Sequence, residues 1–184
     1  IAYTLDKIKL RHICVFSIQK LMKSKKNLVF LGMMGSGKSS IGSIVSKKLN
    51  IEFIDVDQEI EKKVGIKISK IFENKGEKYF REIEEIIALK LLKKNKTVIS
   101  LGGGAFLNNK IKKEVLDNHI SFWLNWEIKT LISRIKDSQK RPVAFKVSKN
   151  DLADLIKKRS LVYSKAMYKI DCESLTKNEI VSKI

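Results

Sequence analysis

Residues 27–49 read NLVFLGMMGSGKSSIGSIVSKKL, and this stretch decides the fold. Asn27-Leu-Val-Phe-Leu31 is a short apolar run closed by a glycine, the pattern of a buried strand. Gly32 to Ser39 spells G-x-x-x-x-G-K-S. From Ser39 to Leu49 the residues Ile41, Ile44, Val45 and Leu49 fall on one face, which predicts a helix. Strand, glycine-rich turn and helix in that order make a phosphate loop. Glycines let backbone N–H groups turn inward around phosphate oxygens. The following helix aims the positive end of its dipole at the same anion. Gly35, Ser36, Gly37, Lys38, Ser39 and Ser40 are therefore the candidate contacts to a nucleoside triphosphate. In such a loop the Lys38 ammonium reaches the β- and γ-phosphates and the Ser39 hydroxyl ligates Mg²⁺.

Outward from this unit, strands alternate with helices. Glu52-Phe-Ile54 predicts a second strand, and Asp57 is placed to cap the helix after it. A long amphipathic helix follows Gly76, with Phe80, Ile83, Ile87 and Leu91 at helical spacing. Thr97–Ser100 and His119–Leu124 predict the third and fourth strands. Helices near 127–136 and 150–166, a strand near 168–171 and a short closing helix complete the chain. This alternation predicts an α/β protein with a parallel sheet covered on both faces. The segment 137–149 breaks the pattern. It is polar and holds the single proline, Pro142, beside Arg141, as a mobile lid does.

At 184 residues the chain is sized for one domain with a sizeable core. Residues 1–24 precede the first strong strand and read as an appendage of unclear role, so the catalytic domain is set at 25–184. No apolar run is long enough to span a bilayer. Cys14 and Cys172 form no CxxC pair, which suits a reducing cytoplasm. The net charge of +18 raises a nucleic-acid partner as a possibility. The 33 lysines are scattered over every helical segment, not gathered in a stripe, and read as solvated faces. They can still draw anionic substrates toward the protein.

Only five arginines stand beside those lysines: Arg11, Arg81, Arg134, Arg141 and Arg159. Lysine cannot replace a planar fork that grips a carboxylate or phosphate at two points. A chain this biased toward lysine marks its arginines as geometric choices. Arg81 opens the long helix with Glu84 at i+3 and Glu85 at i+4, either of which can hold the guanidinium. In Asp55-Val-Asp57, alternate residues at a strand end point in opposite directions. One carboxylate can then serve Mg²⁺ through water and the other an acceptor hydroxyl. Six of the nine glycines lie in two clusters, the phosphate loop and Gly102-Gly-Gly104, which follows the third strand. The carboxyl ends of parallel strands are where ligands bind. Three glycines there let the backbone approach a ligand with no Cβ in the way.

The stretches GMMGSGKSS, FIDVD, GEKYFREIEE, SLGGGA, KRPV and LIKKRSLVY follow in this order from about Leu28 to Ser164. In combination they resemble the shikimate kinases. The resemblance implies a nucleoside-monophosphate-kinase-like three-layer fold with a five-stranded parallel sheet in order 2-3-1-4-5. It implies transfer of the γ-phosphoryl of ATP to the 3-hydroxyl of shikimate, a step toward chorismate and the aromatic amino acids. It assigns Asp57, Arg81 and Arg159 to shikimate, with Gly103 and Gly104 alongside. Lys38, Asp57 and Arg141 become the catalytic residues, and Arg141 reaches the phosphates from the lid. Arg134 lies against the adenine. Ser39 and, through water, Asp55 serve Mg²⁺. The third strand ends at Ser100 without the acid common in phosphate-loop enzymes, a lack shared by shikimate kinases. The expected partners are ATP and shikimate, with no nucleic acid and no membrane, and the expected state is a cytoplasmic monomer.

Overall fold

A computed structural model describes residues 26–136 and 148–184. In chain order the elements are β1 (Leu28–Leu31), α1 (Lys38–Leu49), β2 (Glu52–Asp55), α2 (Val56–Val64), α3 (Ile68–Leu92), β3 (Thr97–Ser100), α4 (Asn109–Asn118), β4 (Ile120–Asn125), α5 (Ile128–Lys136), α6 (Lys149–Tyr163), β5 (Tyr168–Asp171) and α7 (Lys177–Lys183). A single 3₁₀ turn, Ala105–Leu107, sits between β3 and α4.

The five strands form one parallel sheet in order β2-β3-β1-β4-β5. This is the order that the resemblance implied. Because side chains alternate along a strand, β1 sends Val29 and Leu31 to one face and Leu28 and Phe30 to the other. On the first face they meet α2, α3, α4, α5 and α6 through residues such as Ile60, Phe80, Ile87, Val115, Leu131 and Ile156. On the second face Phe30 stacks on Phe122, and Ile41, Val45, Ile180 and Val181 of α1 and α7 close over them. With both faces covered, every residue of β1 is buried, which is why it reads as an unbroken apolar run. Each fully buried Leu or Phe stabilises the fold by about 1.5–3 kcal/mol.

Asn27 opens β1 and stitches its start to its neighbours. Its side-chain amide donates to the carbonyls of Leu92 and Lys94 at 2.9 and 2.7 Å, and its oxygen accepts from the Thr97 N–H at 3.1 Å. Its own N–H donates to His119 Nδ1 at 3.4 Å. Burial holds the His119 pKa down, against the nearby Glu114 carboxylate, which favours the neutral acceptor form. His119 ends α4 and β4 starts one residue later, at Ile120.

Three sequence expectations shift. The cap of α2 is Asp55, which accepts from the N–H groups of Asp57 and Gln58 at 3.0 and 3.3 Å; Asp57 lies in the first turn. Gly76 lies inside α3, where φ 77 and ψ 173 break the helix into two arms. The arm after Gly76 is the one the apolar spacing showed. Ser148 caps α6 and Lys149 begins it, so the expected lid's last residue is helix and the one before it is the helix cap. The remainder of that segment, with Arg141, lies outside the described residues, as do residues 1–25. The helix α4, absent from the sequence reading, is capped by Asn108, which accepts from Lys110 and Ile111.

Candidate active site

The carboxyl ends of β1, β2 and β3 lie side by side, with Phe30 and Asp55 each paired to Ser100. Everything that follows hangs on those three ends. Leaving β1, the chain turns through Gly35 and Gly37 at φ 80 and 86, a left-handed region that strains any residue with a Cβ. Lys38 is the first residue of α1. Its ammonium is buried and donates to the carbonyls of Gly32 and Met33, both at 2.9 Å. Ser39 and Ser40 stand exposed at the mouth of the loop. The Ser39 hydroxyl donates to Asp55 Oδ2, while Asp55 Oδ1 is engaged in the α2 cap. Two hard oxygen donors thus face the place where phosphate would lie, a donor set that suits Mg²⁺. Arg134, on α5, is exposed beside the loop: a Cβ on Gly35 would stand 3.5 Å from its Cβ.

Across the β3 end, charged side chains converge on the glycine triplet. Asp57 and Glu84 approach Gly102 so closely that a Cβ there would lie 2.6 Å from an oxygen of each. A Cβ on Gly104 would come within 2.7 Å of the Arg81 Cζ. At Gly103 the nearest atoms would be Met34 N at 3.2 Å and Arg159 Nη1 at 3.7 Å. The triplet is therefore a floor into which one acid pair and two guanidiniums press. Met34 belongs to the phosphate loop, so this floor and that loop share a wall.

Arg81, Glu84 and Arg159 are each held by a second group. Arg81 Nη1 donates to Glu84 Oε2 at 2.6 Å, and its Nη2 donates to Glu77 Oε1 at 3.0 Å. Glu85 is not its partner. That carboxylate accepts from Asn108 and Lys110 instead, each at 2.6 Å. Burial works against the Arg81 charge, but the Glu84 and Glu77 carboxylates outweigh it and raise its pKa. The Glu84 side chain is only 3% exposed. Burial pushes its pKa up, Asp57 adds to the shift, and Arg81 and Arg159 oppose it. Its Oε1 has no hydrogen-bond partner among the described residues. Arg159, on α6, donates from Nη1 to the Gly103 carbonyl at 3.2 Å.

The Tyr163 hydroxyl donates to that same Gly103 carbonyl. Tyr163 is fully buried, and burial pushes its pKa up to about 12, so it stays a donor. A trans peptide points its C=O and the next N–H in opposite directions. By pinning the Gly103 carbonyl toward α6, Tyr163 and Arg159 turn the Gly104 N–H the other way.

The family model described as shikimate kinase matches residues 34–184. A shikimate kinase of Thermodesulfovibrio yellowstonii is 38% identical over 86% of this chain and 92% of its own length. One from Persephonella marina is 35% identical over 86% of this chain and 96% of its own. The solved structure of a shikimate kinase from Acinetobacter baumannii in complex with shikimate superposes with a TM-score of 0.82 at 29% identity, covering 89% of this chain and 93% of that one.

The chain belongs to the shikimate kinase family.

As a shikimate kinase it uses ATP and Mg²⁺ and transfers a phosphoryl group to an alcohol. The structure brings Asp57, Arg81, Arg159, Gly103 and Gly104 together, and beside them Lys38, Ser39, Asp55 and Arg134. Sequence reasoning missed four members of the site. Glu84 was seen only as one of two acids near Arg81. Gly102 was seen only as part of the triplet. Tyr163 was hidden in LIKKRSLVY, where helical spacing marks it as core. Trp126 belongs to no motif, yet its indole N–H donates to the Ser36 carbonyl at 2.9 Å and its ring carries the Arg134 guanidinium at 3.6 Å.

Proposed function

We propose that this chain moves the γ-phosphoryl of ATP to the 3-hydroxyl of shikimate and releases ADP. The observation that carries the assignment is the convergence of two guanidiniums, Arg81 and Arg159, and the Asp57 carboxylate on one glycine floor beside the phosphate loop. An acceptor suited to that floor carries a carboxylate at one end and hydroxyls at the other. Arg81 and Arg159 grip the carboxylate; the planar fork of each gives two-point contact that a lysine cannot. Asp57 accepts hydrogen bonds from the ring hydroxyls and takes the proton from the attacking one. Glu84 keeps Arg81 oriented.

On the donor side the loop residues Gly35 to Ser40 cradle the phosphates, and Lys38 exchanges its backbone carbonyls for phosphate oxygens. Ser39 and, through water, Asp55 would hold Mg²⁺, which when bound neutralises phosphate charge. Arg134 lies against the adenine. Arg141, by family resemblance, meets the phosphates from the segment between α5 and α6. Catalysis of this kind is positioning and charge neutralisation, with little covalent work for the protein. Among the described residues no helix is long and apolar enough to cross a membrane. The family's place in aromatic biosynthesis supports a cytoplasmic enzyme, and the described site residues all come from one chain, which supports a monomer.

The test is a coupled assay of ADP release with and without shikimate, run beside gluconate and nucleoside monophosphates. ADP release should depend strictly on shikimate. Equal release without shikimate, or faster release with another acceptor, overturns the assignment.

A further inference from the structure

We propose that Trp126 is a positioning residue of the nucleotide half of the site, acting through two separate contacts. The inference rests on the kinase reading for its ligand and deepens it by naming what holds the donor side in shape.

The first contact is the indole Nε1–H on the Ser36 carbonyl, 2.9 Å away. That carbonyl belongs to the peptide between Ser36 and Gly37. Gly37 sits at φ 86 with open space where a Cβ would be, so its own sterics do little to fix the peptide's orientation. The peptide is planar and trans, so holding the Ser36 carbonyl toward Trp126 sends the Gly37 N–H the other way. Anion binding by such a loop needs its N–H groups to face inward together. Trp126 thus locks the peptide most prone to flip. Trp126 can do this because it is half-buried against both faces of the core, just past the end of β4 and outside the loop.

The second contact is the ring face. The Arg134 guanidinium lies over it with Cζ 3.6 Å from the ring centroid. Arg134 is otherwise exposed, and a free arginine side chain samples many rotamers. Stacking on indole confines it to one plane beside Gly35. The guanidinium then offers its outer face as a flat cationic surface, the geometry onto which the π-face of a nucleobase stacks. Indole, guanidinium and base would form three layers, with the indole as the fixed one.

The two contacts can be separated. Trp126→Phe keeps a ring for Arg134 and removes the donor to Ser36. Trp126→Ala removes both. Binding of ADP in the presence of Mg²⁺, measured by calorimetry without shikimate, should weaken about fivefold in Trp126→Phe, the loss of one hydrogen bond. In Trp126→Ala it should weaken about threefold further, the loss of the stacking platform. Arg134→Ala should cost less in a Trp126→Ala background than in the wild type. The KM for shikimate should stay within twofold in both Trp126 variants. If Trp126→Phe binds ADP within twofold of wild type, the proposal is wrong. It is equally wrong if the shikimate KM rises in step with the ADP loss, since that would mark a merely structural residue. If Trp126→Ala fails to fold, Trp126→Phe alone decides. A wild-type protein that binds ADP but ignores shikimate would sink the acceptor assignment, and the ADP titrations would still judge Trp126.

Discussion

The two glycine clusters use the same residue for different reasons. In the phosphate loop, Gly35 and Gly37 have positive φ, and nothing lies within 4 Å of a Cβ built on Gly37. What matters there is the backbone shape that glycine permits. In the triplet, none of Gly102, Gly103 and Gly104 has positive φ, and a Cβ on each would meet a functional residue or the phosphate loop. What matters there is the missing atom. The donor half of the site is therefore built from conformation, and the acceptor half from vacancy. A motif can encode the first, because shape follows from a local run of residues. The second depends on what long-range folding brings against the glycine.

Asp57→Asn should give the largest effect and act on one half only. Turnover should fall by roughly 10²–10⁴, while ADP affinity measured by calorimetry stays at the wild-type value. Loss of ADP binding in this variant would break the separation of the two halves. Next in size is Gly104→Ala, where the added methyl must displace the Arg81 guanidinium. The shikimate KM should rise about tenfold or more, the size of an overpacking penalty. Gly103→Ala should be milder, since its neighbours are more distant. Steady-state kinetics that rank the two the other way would refute the vacancy account. Tyr163→Phe deletes one donor to the Gly103 carbonyl and leaves Arg159 in place. Its shikimate KM should rise about fivefold, with the ATP KM unchanged.

The smallest effect concerns pH. Burial raises the Glu84 pKa in the folded state, so folding disfavours the ionised carboxylate relative to the unfolded chain. The stability this contributes is complete at low pH and is lost as pH climbs through the raised value. Thermal melts of wild type and Glu84→Gln should therefore diverge above the ordinary carboxylate range, with wild type losing ground as pH rises. Divergence in the opposite direction would mean that Arg81 outweighs burial at this site.

The sheet was legible because β1, β3 and β4 are buried on both faces and so are mostly apolar, while its strand order came from the family resemblance. The phosphate loop was legible because its chemistry is local. Arg81 and Arg159 stood out because the chain otherwise uses lysine. Tyr163 and Trp126 did not. A buried aromatic looks the same in sequence whether its polar atom is idle or grips a carbonyl sixty or ninety residues away. The α2 cap was misassigned by two residues because Asp55 and Asp57 are chemically identical, and only the end of β2 distinguishes them. The first arm of α3 was lost because Gly76 looked like a start and is a bend.

The Lys38 ammonium, closed on the carbonyls of Gly32 and Met33, has a thermodynamic consequence for nucleotide entry. Its rotamer is already chosen and it is already largely shielded from solvent before any nucleotide arrives. Binding swaps two carbonyl partners for phosphate oxygens; it does not strip a hydrated cation. A buried charge pair is screened by salt much less than an exposed one, so this lysine should add little to the ionic-strength dependence of ATP binding. Salt dependence should come instead from the chain's many solvated surface lysines. The surface charge governs how fast the nucleotide is gathered, and the buried one governs how firmly it is held.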